Sequence, residues 1–110
     1  MGNAVPFVYI KLDKERKYRL SNKALYIFEQ VSEKSLSELD LNNLGIITLN
    51  QLIYAGLKSQ DEEITLDQVI DLIDEFGDLE YLSEQLNKAC DGSSFLQLKN
   101  SKKVVQKTSN

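Results

Sequence analysis

Residues 7–20 carry a period of two. Val8, Ile10 and Leu12 alternate with Tyr9 and Lys11, and after the polar run Asp13-Lys14-Glu15-Arg16 the alternation resumes at Tyr18 and Leu20. That pattern predicts a β-hairpin with one apolar face. Its turn lacks the Asn-Gly or Asp-Gly pair of a tight primed turn, which leaves the loop length open. Two strands alone are marginal in water, so the hairpin must lie on helices or pair with another chain.

From Ser21 onward the period lengthens to that of a helix. Ser21 is placed as an N-cap, with Leu20 and Leu25 as a hydrophobic staple, and Ala24, Leu25, Ile27, Phe28 and Val31 gather on one side. Ser35 and Glu38 make another capping box, opening a short segment through Leu36 and Leu39, which Asn42-Asn43 and Gly45 end in a turn. A third helix is predicted from Leu49 to about Lys58, presenting Leu49, Leu52, Ile53 and Leu57. In it Ala55 and Gly56 are small enough for a neighbouring helix to approach. The fourth, Leu66 to Phe76, carries Leu66, Val69, Ile70, Ile73 and Phe76 inward, with Asp67, Asp71, Asp74 and Glu75 on its opposite face. Gly77 stops it, and Asp78 caps a fifth helix whose stripe is Leu79, Leu82, Leu86 and Ala89.

Two of these helix starts nearly repeat each other: Ile47-Thr48-Leu49-Asn50-Gln51-Leu52 and Ile64-Thr65-Leu66-Asp67-Gln68-Val69. Each reads as a capping box, with the threonine capping the first turn and the glutamine reaching back. Ile47 with Leu52, and Ile64 with Val69, would complete a staple at each start. The expected fold is therefore α+β and mainly α: the hairpin, then four to five short helices in one domain spanning residues 1–91. Residues 92–110 form a polar, basic tail with little to bury.

Composition narrows the chemistry. The chain has 110 residues, 42% of them hydrophobic, enough for one core. It has no histidine and a single cysteine, Cys90, so an internal disulfide is excluded and a reducing compartment is expected. No apolar run approaches the ~20 residues of a membrane span. The segment from Val5 is interrupted by Lys11, Asp13 and Lys14, unlike a signal peptide, and a soluble cytosolic protein is expected.

Charge is segregated. Residues 1–37 hold seven Lys or Arg against four Asp or Glu, residues 38–91 hold two against thirteen, and residues 92–110 hold four against none. The acidic block opposes nucleic-acid binding through the body of the domain. The stripe Asp67, Asp71, Asp74 and Glu75 is either a solvated face or an electrostatic contact. In the tail, the apolar island Phe95, Leu96 and Leu98, followed by Lys99, Lys102 and Lys103, reads as a weakly packed end or as a docking segment.

Catalytic and metal chemistry find little footing. Asp40 to Gln51 has the glycine and hydrophobe of a calcium loop at Gly45 and Ile47, but Leu44 removes one ligand and Gln51 cannot supply a bidentate carboxylate. Zinc would need more Cys or His than one. Cys90 has no histidine base, no glycine-rich phosphate loop is present, and the acidic stripe lacks a cleft. No enzyme, metal or cofactor is expected. A binding domain is, with helices that offer a groove to a partner helix.

The order of elements carries a resemblance. Tyr18-Arg19-Leu20-Ser21-Asn22-Lys23-Ala24-Leu25, Phe28-Glu29 and Leu36-Ser37-Glu38-Leu39 come first, followed by Leu52-Ile53-Tyr54-Ala55-Gly56-Leu57, an acidic turn, and Ile64-Thr65-Leu66-Asp67-Gln68-Val69. Over roughly residues 7–90 this resembles the small tail assembly chaperones of long-tailed bacteriophages and prophages. The resemblance implies a non-enzymatic protein that keeps the long helical tape measure protein soluble while the tail tube forms around it. It also implies contact with the tape measure protein and possibly the tail tube protein, a place in the host cytoplasm and absence from the mature virion. Weak self-association is expected, since many copies would cover one client, and the hairpin's open edge is one route to it. The alternative is a cytosolic adaptor or regulator of a phage or prophage.

Overall fold

The computed structural model describes residues 7–92. The strands β1 (Val8–Lys11) and β2 (Glu15–Tyr18) pair antiparallel, with Val8 opposite Tyr18 and Lys11 opposite Glu15. Four α-helices follow: α1 (Asn22–Ser32), α2 (Ile46–Lys58), α3 (Leu66–Phe76) and α4 (Leu79–Gly92), with a short 3-10 helix at Leu36–Glu38 between α1 and α2. This is the α+β, mainly α architecture expected from the periodicities.

The hairpin turns through Leu12-Asp13-Lys14, closed by the Leu12 N–H donating to the Lys14 carbonyl at 3.0 Å. Asp13 holds the turn from outside, accepting the Lys14 N–H at 3.0 Å and two bonds from the Arg16 guanidinium at 2.9 Å. The inner face of the hairpin, Ile10, Leu12 and Tyr18, is buried on the helices. It could not stand alone, and it does not.

α2 is the central helix: α1, α3 and β2 all pack on it. A close approach occurs at Gly56, where an added Cβ would lie 2.2 Å from the Tyr18 ring. Gly56 thus makes room for an aromatic side chain of β2, and not for the neighbouring helix that its small size suggested. The Tyr18 hydroxyl reaches past it to donate to the Leu52 carbonyl at 2.9 Å, which satisfies the one polar atom that this buried ring carries in. Leu20, Phe28, Leu52, Ile53, Leu57, Val69 and Leu82 are among the other large side chains fully buried in the core.

The helix starts divide. Ser21 caps α1, accepting the Ala24 N–H at 3.3 Å, and its staple partners Leu20 and Leu25 are both buried. Ser35 opens the 3-10 helix by accepting the Ser37 N–H at 3.2 Å, one residue short of Glu38, so the expected capping box with Glu38 is replaced by a tighter turn. Thr65 forms a full capping box: its hydroxyl accepts the Gln68 N–H at 3.1 Å and Gln68 Oε1 accepts the Thr65 N–H at 2.9 Å. Thr48 does not cap. α2 begins three residues earlier than expected, at Ile46, with Gly45 as an N-cap that has no side chain to offer. Ile47 therefore projects outward and forms no staple with Leu52, while Gln51 donates to the Val31 carbonyl at 3.5 Å.

Three residues expected inside are exposed: Ile70, Phe76 and Leu79. The apolar arc of α3 is wider than the surface α2 covers, so Val69 is fully buried, Leu66, Leu72 and Ile73 are half-buried, and Ile70 and Phe76 face out. Leu79 sits at the first turn of α4, ahead of the stripe Leu82, Leu86 and Ala89 that packs. Asp78 begins that helix as expected, accepting the Glu80 N–H at 3.0 Å. α4 runs through Asp91 to Gly92.

Candidate protein-binding surface

The early start of α2 creates the most distinctive surface. Ile46 and Ile47 are 66% and 70% exposed, among the least covered of the large apolar side chains. Together with Leu66 and Ile70 of α3, they line a groove of about 240 Å³ between the N-terminal ends of the two helices. Asn50 and Gln51 complete its lining. Asn50 is 8% exposed and turns its amide back along its own helix, Nδ2 donating to the Ile46 carbonyl at 2.8 Å. Its Oδ1 is buried with no partner among the described residues. An unmet buried acceptor costs stability, as do isoleucines left in water.

α3 carries the acidic stripe past this groove. Asp67, Asp71, Asp74 and Glu75 are all exposed. Asp67 and Asp71, then Asp71 and Glu75, stand four residues apart and repel. Asp74 and Glu75 also lie in the last turn, which holds no basic residue and where the helix dipole disfavours an anion. Asp67, by contrast, lies in the first turn, where the dipole favours an anion, so the cost of the stripe falls on the C-terminal half of the helix. The other predicted contact residues, Phe95, Leu96, Leu98, Lys102 and Lys103, lie outside the described residues.

Cys90 is buried, and burial, with Asp91 adding, pushes its thiol up to about 12, so it stays a neutral thiol near pH 7. Burial likewise raises the Tyr18 hydroxyl well above its ordinary range, with Cys90 adding. Asp13 goes the other way, its carboxyl lowered chiefly by the hydrogen bonds from Arg16. In the stretch tested as a calcium loop, Asp40 Oδ1 accepts the Asn42 N–H at 3.0 Å in a simple turn. Among the described residues no cluster of three His, Cys, Asp or Glu is placed to hold a metal ion, and no helix is long and apolar enough to cross a membrane.

Comparison with protein-family models, with curated proteins and with solved structures finds no match to this chain. The groove must be read from its own residues. Sequence periodicity missed it because the groove depends on how α2 and α3 sit together. One local signal did exist: Ile46 adds an apolar residue to a staple pattern that uses only one.

Proposed function

We propose that this chain is a phage tail assembly chaperone that binds apolar stripes of the helical tape measure protein and keeps that client soluble. The observation that carries the reading is the open apolar groove of Ile46, Ile47, Leu66 and Ile70, with the exposed carboxylates of Asp67, Asp71, Asp74 and Glu75 on the same helix α3. An amphipathic helix laid into such a groove buries its own apolar face and that of the host together. The acidic outside then supplies the charge that keeps the complex dispersed. The family resemblance of the Tyr54-Ala55-Gly56-Leu57 and Thr65–Val69 segments supports the same reading.

In this role the protein acts in the host cytoplasm, meets the tape measure protein and possibly the tail tube protein, and does no catalysis. Co-expression with the tape measure protein tests it: the client should move to the soluble fraction and co-purify. Binding should survive moderate salt, because screening weakens exposed charge pairs far more than buried apolar contact. If the client stays insoluble and no complex forms, the reading falls and that of an adaptor or regulator takes its place.

A further inference from the structure

The two outer edges of the hairpin are not alike. In an antiparallel pair, alternate residues turn their N–H and C=O outward. On β1 these are Tyr9 and Lys11, and Tyr81 of α4 takes both: the Lys11 N–H donates to its hydroxyl at 2.9 Å, and the hydroxyl lies 3.4 Å from the Tyr9 carbonyl. By the register, the outward residues of β2 are Glu15 and Lys17. No described residue pairs with their backbone groups. Instead a groove of about 190 Å³ runs beside this edge, walled by Leu57, Gln60, Asp61 and Ile64.

We propose that the open edge of β2 pairs antiparallel with the same edge of a second copy, about a twofold axis at Arg16, joining two hairpins into one four-stranded sheet. In that register Glu15 stands opposite Lys17 of the second copy, and Lys17 opposite its Glu15. Both are narrow pairs that exchange two backbone hydrogen bonds, so the contact gains four. Both also set opposite charges across the strands on the exposed face of the sheet. Arg16 meets its own copy on the inner face, but each guanidinium is already held by Asp13 at 2.9 Å and lies 3.8 Å from Asp61. The side groove leaves room there for the side chains of the added strand.

Charged edge strands commonly guard against pairing. Here the guard is selective, because the order Glu15-Arg16-Lys17 is complementary to itself when reversed. A chance extended peptide lacks that match and meets an uncompensated charge at one position or both. The interface is short, so the dimer is weak. It does not depend on what the α2–α3 groove binds.

Charge reversal tests this in sedimentation over a range of protein concentration. The unmodified chain should show a monomer–dimer equilibrium. Glu15→Lys and Lys17→Glu should each weaken it about tenfold, since each turns both cross-strand pairs into like charges. The double swap, Glu15→Lys with Lys17→Glu, should restore it. Both positions are exposed, so the helical circular dichroism of all three variants should match the parent. In hydrogen exchange, the Glu15 and Lys17 amides should slow as concentration rises, while the Arg16 and Tyr18 amides, already facing β1, should not. A chain that stays monomeric throughout overturns the proposal. So does a dimer indifferent to the single reversals, a double swap that fails to restore pairing, or protection of these amides only when a client is added.

Discussion

The starts of α2 and α3 have nearly the same local sequence and opposite outcomes. At α3, Ile64 is 3% exposed, Thr65 and Gln68 close a reciprocal cap, and Val69 is fully buried beneath them. At α2, the corresponding Ile47 is 70% exposed, Thr48 is in the helix, and a bare glycine stands at the cap. The difference lies in what surrounds the string. Ile64 has a core to enter, formed by α2 and the hairpin, and that burial draws the chain out of helix before Thr65. Nothing among the described residues covers Ile47, so the helix extends back to Ile46 and gains extra turn bonds, such as Leu49 N–H to the Gly45 carbonyl at 2.9 Å. A capping box is thus a local preference that tertiary packing confirms or overrides. One start stabilises the fold; the other leaves two isoleucines at a groove.

Paired substitutions sharpen this contrast, the isoleucines most of all. Ile64→Ala should cost about 2–4 kcal/mol in urea denaturation through the cavity it leaves, whereas Ile47→Ala should stay within about 0.5 kcal/mol of the parent. Equal losses would show that Ile47 is buried after all. Next in size is the anchor that holds α2 without a cap. Gly56→Ala should cost about 1–3 kcal/mol despite its better helix propensity, since the Tyr18 ring must move; a stabilised variant would mean that the ring does not press on Gly56. The threonines come third: Thr65→Ala should lose about 1 kcal/mol and Thr48→Ala no more than a few tenths. Matching losses would put the start of α2 at Thr48. Smallest is Gly45→Ser, which has open space for a Cβ and an extended backbone at φ −77°, ψ 169°. It should raise stability by a few tenths of a kcal/mol by supplying the missing cap acceptor.

Much of the fold was legible where local and tertiary demands agree. The alternation from Val8 to Tyr18 has a buried inner face, and Ser21, Thr65 and Asp78 each start the helix their chemistry suggests. Legibility failed where a residue's role is decided by a distant element. Ile70 and Phe76 follow the apolar period of α3, but Ile70 lies in the open groove and Phe76 stays exposed. Gly56 was legible as a close approach, though not that Tyr18 makes it. Tyr81 gives no sequence sign that its hydroxyl will close the edge of a strand 70 residues away. The groove belongs to this second kind: Asn50, polar and 8% exposed, looks like an ordinary helix residue until α3 is laid beside it.

In the proposed function, the uncapped start of α2 is the surface that binds the client. The most direct test of that role is the double variant Ile46→Asp, Ile47→Glu, measured in parallel for thermal stability and for the amount of co-expressed tape measure protein held in the soluble fraction. Both isoleucines are exposed, and carboxylates suit the first turn of a helix, so the melting temperature should be unchanged or slightly higher. Soluble client should fall to the level seen without this chain, because two charges now sit in the slot that an apolar helix would enter. A variant that keeps the client as soluble as the parent does would contradict the claim and move the binding surface away from this groove.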